Sequence, residues 1–220
     1  MSLRVVVYAE GPGDDAGEES RLPAPREPLL DRHLGPAHLL LRRCIAEQSS
    51  VPEGAVVFLS PLRTVKIRRH RGSDLTDRRA LRQLLTWPVA PEIRPHLAVV
   101  FVDHDEQDAR PTTIRGLVED ISLPHVIAVP KQEFESWLIA DHQAVSKVVS
   151  PTPNKPAEVE GLRREQAKTL LRAWTATSPD PAGVRRSLAQ ICDLSTLDRL
   201  SAFRAFREEL AAKLSGLQIR

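Results

Sequence analysis

Four short runs dominated by Val, Leu and Ile, at residues 3–9, 55–59, 97–102 and 125–129, stand out from an otherwise polar chain. Their apolar character is nearly continuous rather than alternating, which predicts strands covered on both faces, as in a parallel sheet. Between them, apolar positions at helical spacing predict helices over residues 36–48, 74–85 and 112–121. Strand and helix alternate, so the pattern predicts an α/β domain with a mostly parallel sheet flanked by helices.

Two stretches break that rhythm. Residues 12–36 carry Gly, Pro and acids ("GPGDDAGEESRLPAPREP") between the first strand and its helix. Loops of this length inside a compact domain are either functional or disordered, and the residues leave both readings open. After the fourth strand, "EFESWLIADHQAV" spaces Phe134, Trp137, Leu138 and Val145 as one or two amphipathic helices. A Pro-rich break at residues 150–156 comes next, then helices over 160–175, 180–192 and 195–214. The break divides the chain into an α/β domain, residues 1–149, and a helical C-terminal extension, residues 150–220, packed on or beside it.

Composition narrows the class without naming a function. The 220 residues are 41% hydrophobic, enough for a real core, and the net charge is only +2. A weak overall charge does not exclude nucleic acid, because a binding face can be local. Cys44 and Cys192 have neither CxxC nor zinc spacing, which predicts two reduced thiols and a cytoplasmic protein. No signal peptide pattern opens the sequence, and no apolar run approaches the roughly 18 residues needed to span a bilayer.

Acids collect where the strands end. Glu10 follows the first strand in "VVVYAEGPGDD", Asp103 and Asp105 follow the third in "VVFVDHDEQD", and Glu133 and Glu135 follow the fourth. In a parallel sheet these ends share one edge, so residues about ninety positions apart can meet there. Hard cations such as Mg²⁺ or Mn²⁺ take oxygen ligands, and a few carboxylates plus a substrate phosphate suffice. On an extended backbone Asp103 and Asp105 would share one side and hold one ion. The bland alternatives are solvated acids at strand ends and an exposed Glu beside a Gly turn.

A glutamate closing the first strand and a D-x-D closing a later one resemble the Toprim domain of topoisomerases, primases and OLD-type nucleases. More narrowly, "VYAEGPGDD", "VVFVDHDEQD" and "VPKQEFESWLIAD" resemble an uncharacterised prokaryotic branch of Toprim-like proteins, across residues 3–145. The resemblance implies a Toprim/Rossmann-like sheet and metal-dependent phosphodiester cleavage of DNA, or alternatively RNA. It makes Glu10 a metal ligand or general acid/base and Asp103 and Asp105 metal ligands. Asp14 stands where nuclease-type members place a second acid, with Asp15, Glu18 or Glu19 as substitutes because of the inserted loop. Glu133 and Glu135 would serve a second metal, and His104 would be a spacer. No G-x-K-[ST] is present, so the resemblance also implies a separate ATPase partner and a place in phage defence.

The remaining features are read from the residues alone. Arg63, Lys66, Arg68, Arg69 and Arg71 follow the second strand, where they can hold phosphates or stand as a solvated loop paired with Asp74 and Asp77. Trp137, Trp87, Trp174, Phe203 and Phe206 read as core, and none interleaves with the basic run as a base-stacking platform. Asp141 reads as a helix cap before a metal ligand. Lys147, Lys155 and Lys168 read most simply as exposed, although a lysine beside such a site can stabilise phosphoryl charge. Two other functions fit the same residues: a non-catalytic adaptor and a metal-dependent phosphohydrolase of small substrates.

Overall fold

A computed structural model of the chain describes residues 2–11, 13–19, 21–63, 70–86 and 94–217. Strands β1 (Leu3–Ala9), β2 (Val56–Leu59), β3 (Leu97–Phe101) and β4 (His125–Ala128) form a sheet in the order β2-β1-β3-β4. Every neighbouring pair is parallel. The predicted α/β class is therefore present.

Both faces of the sheet are covered. In β1, Val5 and Val7 face one core while Val6 and Tyr8 face the other, the period-two alternation of a strand. The first core gathers helices α1 (Pro36–Gln48), α5 (Glu135–Ile139), α6 (His142–Val148), α7 (Gln166–Trp174), α8 (Pro181–Ile191), α9 (Leu194–Leu197) and α10 (Ser201–Ser215). The second is closed by α2 (Gly72–Thr76), α3 (Arg78–Leu85) and α4 (Arg110–Val118). Trp137, Phe203 and Phe206 are buried together against Phe101, as the spacing predicted. Helices beyond the Pro-rich break thus share the sheet's own core.

The predicted helix over 74–85 is divided by a capping residue, and the segment read as one or two helices forms two. Asp77 ends α2 and accepts a hydrogen bond from Ala80 N (2.8 Å), starting α3 afresh. Asp141 separates α5 from α6, accepting from Gln143 N and Ala144 N, and also from Asp193 N at 2.8 Å. Its role is the structural one.

The long insertion is ordered along its described residues. Arg26 N donates to Ser60 O, Ser60 N to Glu27 O (2.7 Å) and Leu29 N to Phe58 O (2.7 Å). Pro28 pairs antiparallel with Leu59, so the loop lies along the outer edge of β2. At the opposite edge, Ile127 N of β4 donates to Glu209 of α10, and Arg115 of α4 donates to Ile127 O. Arg115 and Glu209 also pair with each other at 2.9 Å.

Candidate functional site

The carboxyl ends of β1 and β3 lie side by side, because Ala9 is in register with Phe101. Glu10 N donates to Phe101 O, and Asp103 N returns a bond to Glu10 Oε2 at 3.0 Å. The backbone itself therefore brings the first and second acidic features together. Past the strand end the chain turns sharply: Asp105 and Glu106 adopt φ of 51° and 58°. Extended alternation consequently does not govern Asp103 and Asp105. The turn is tied to the loop after β4, with His104 N donating to Pro130 O and Glu106 N to Gln132 Oε1. This junction carries Glu133 to the same edge, and Phe134 N donates to Asp103 Oδ1 at 3.0 Å.

Each acid is met by a cation of the protein. Arg110, opening α4, spans Glu10 (2.8 Å) and Asp105 (2.6 Å). Arg164 reaches the other Asp105 oxygen at 3.2 Å. Lys168 of α7 lies 3.1 Å from Asp103 and 3.9 Å from Glu133. Arg185 of α8 pairs with Asp14 and with Glu135, the latter at 3.0 Å. The belt thus holds six carboxylates and four cations, an excess of two negative charges when all are ionised. Asp103 and Asp105 do not share one partner, as an extended pair would; their ion pairs are different.

Burial sets the electrostatics. Desolvation pushes the carboxyls of Glu10, Asp103 and Glu133 above the usual range, although Arg110 and Lys168 pull the other way. Asp14, wholly enclosed and facing Glu135, is raised furthest from its ordinary value. Burial works against the Lys168 ammonium, yet Asp103, Glu135 and Glu133 together hold its pKa above the ordinary lysine value. Lys168 is therefore an ion-paired, half-buried group, not the exposed lysine its sequence context suggested.

Among the described residues, no three acidic, His or Cys side chains converge tightly enough to hold an ion between them. Two buried carboxylate oxygens at this edge nevertheless lack a hydrogen-bond partner. Glu133 is 0% exposed, and its Oε1 has no hydrogen-bond partner; Glu135 Oε2 is likewise buried and unpartnered. A buried carboxylate oxygen without a donor is costly, and a hard cation is the ligand that would relieve it. The donor set is all oxygen, as Mg²⁺ or Mn²⁺ prefers.

The loop after β2 arrives at the same place. His70 lies 3.0 Å from Ala9 O, and Gly72 is so close to Glu10 that a Cβ there would sit 2.7 Å from Glu10 Cγ. Arg63 and Arg71 are exposed on this loop, while Lys66, Arg68 and Arg69, like Trp87, lie outside the described residues. Asp74 accepts from Arg71 N at 2.7 Å.

Arg110, Arg164 and Arg185 were not singled out in the sequence. Arg110 sits five residues past Asp105, a local clue in retrospect. For Lys168 and Arg185 no spacing could signal the site, because helices 65 and 171 residues from their partners deliver them. Compared with family models, with curated proteins and with solved structures, the chain matches none of them.

Proposed function

We propose that this protein is a divalent-metal-dependent phosphodiester hydrolase of Toprim type, acting on DNA, with RNA as the alternative substrate. The observation that supports it most is the gathering of Glu10, Asp103 and Glu133 at one sheet edge, with a buried Glu133 oxygen left unpartnered. Asp103, Glu133 and Glu135 are the proposed ligands, with Glu10, Asp14 and Asp105 completing the acidic wall. When bound, Mg²⁺ or Mn²⁺ polarises the phosphoryl group and makes hydroxide available near neutral pH.

The chain's own groups do the rest. Glu10, its carboxyl raised by burial against the pull of Arg110, is the proposed proton carrier. Lys168, paired with Asp103, would stabilise charge developing on phosphoryl oxygens. Arg63, Lys66, Arg68, Arg69 and Arg71 are the proposed phosphate contacts of the longer strand. A separate ATPase partner and a role in phage defence belong to the same proposal and rest on the family resemblance.

A second reading has an observation in its favour. Every belt acid has a cationic partner, which is what a non-catalytic adaptor would need to fasten α7 and α8 to the sheet edge. Incubation with supercoiled plasmid, linear duplex and RNA, with Mg²⁺ or Mn²⁺ and with EDTA, separates the two. Metal-dependent cleavage abolished by Glu10→Gln and Asp103→Asn supports the hydrolase. Undiminished cleavage by both variants would discard this site.

A further inference from the structure

Beside the acid belt lies a cleft of about 380 Å³, bordered on its inner side by Gly11 and Asp14 after β1 and by Glu135. One wall is a face of α7, where Lys168, Leu171, Arg172 and Thr175 recur at helical spacing. The other is the first turn of α8, with Pro181, Ala182 and Arg185. Gly13 stands at its base, where a Cβ would lie 2.9 Å from Arg185 Nη1, so any larger residue would crowd the guanidinium.

Charge is distributed unevenly across this cleft. Lys168 and Arg185 are committed to Asp103, Asp14 and Glu135 on the inner side. Arg172 is exposed, one helical turn beyond Lys168, and pairs with no carboxylate among the described residues. The inner-end charges of the lining are thus paired among themselves, and the cation left for an anion is Arg172. Between the two ends, Leu171, Pro181 and Ala182 offer an apolar surface. The volume lies at the lower end of the roughly 300–1,000 Å³ typical of small-molecule sites, enough for one nucleotide but not for a duplex.

We infer that the cleft holds a single unpaired nucleotide of the substrate strand, its phosphate on Arg172, next to the bond presented to the acid belt. The substrate is accordingly a single strand or a frayed end. The inference rests on the hydrolase reading for the cleavage step, but binding in the cleft needs no metal.

The test is fluorescence anisotropy on the full chain in EDTA, with a labelled oligothymidylate and a closed dumbbell duplex without free ends. The oligothymidylate should bind more tightly than the dumbbell. Arg172→Ala should weaken that binding and lower the slope of log affinity against log salt by about 0.7, the share of one single-strand phosphate contact. Arg172→Lys should retain the slope, and Ala182→Glu, at an exposed wall position, should weaken binding further. No oligothymidylate binding, equal binding of the dumbbell, or an Arg172→Ala slope matching the wild type would each overturn the inference. Cleavage with Mn²⁺ that persists while Arg172 proves irrelevant removes only the cleft proposal. Arg172-dependent binding without any cleavage removes only the hydrolase.

Discussion

Lys168→Met is the most direct probe of the belt's energetics, since it keeps the aliphatic stem and removes the charge. Asp103 would lose its partner at 3.1 Å, and the fully buried Glu133 its cation at 3.9 Å. Removing one member of a buried pair costs about 3–5 kcal/mol. The lysine side chain is 26% exposed, so solvent screens part of this, and about 2–3 kcal/mol is the expected loss. For a chain of this size that lowers Tm by roughly 4–12 °C. The pH dependence has a definite sign. Burial already raises the Asp103 and Glu133 carboxyls, and loss of the ammonium raises them further. Protonation removes the uncompensated charge, so the deficit is full at neutral pH and shrinks as pH falls through the folded-state pKa. Thermal melts of wild type, Lys168→Met and Lys168→Met/Asp103→Asn across pH measure it, the double variant recovering part of the loss. A Lys168→Met protein melting with the wild type at neutral pH, or a deficit independent of pH, would refute the reasoning.

The same geometry sets three other expectations. Mn²⁺ at about a hundred times its Kd should stabilise the protein by about 2.7 kcal/mol, roughly 5–11 °C in Tm, and Asp103→Asn/Glu133→Gln should abolish the shift in scanning fluorimetry. Asp14→Asn should raise Tm at neutral pH, because enclosure beside Glu135 disfavours the carboxylate. Its folded-state pKa is raised, so the gain should fade as pH approaches the ordinary aspartate value near about 4. Gly72→Ala forces Glu10 off Arg110 and Asp103 N, so it should lower Tm in thermal melts and reduce cleavage about a hundredfold in initial-rate assays.

The sheet was legible because both faces of each strand are buried, which turns 97–102 and its counterparts into continuous apolar runs. Helix ends were less so: Asp141 could be read as a cap, but Asp77 sits inside a periodic segment, and only its capping bond reveals that it starts a new helix. Of the site, the carboxylates could be read, since strand ends in a parallel sheet converge by topology. The placement of Asp105 could not, because a left-handed turn interrupts the alternation that would have aligned it with Asp103. The cationic half was equally hidden. Lys168 and Arg185 reach the belt through packing of α7 and α8, which no local spacing encodes. The insertion's course along β2 was also beyond pattern reading, since Pro and Gly mask its extended backbone.

That course has a bearing on how the molecule meets its neighbours. An open parallel sheet ordinarily offers two rims onto which a foreign strand can zip. Here residues 26–29 occupy one rim, and the Arg115–Glu209 couple mimics a strand's donor and acceptor at Ile127 on the other. Self-association by strand addition is blocked at those positions. Cutting the Arg115–Glu209 couple would bare the second rim and leave the molecule prone to stacking.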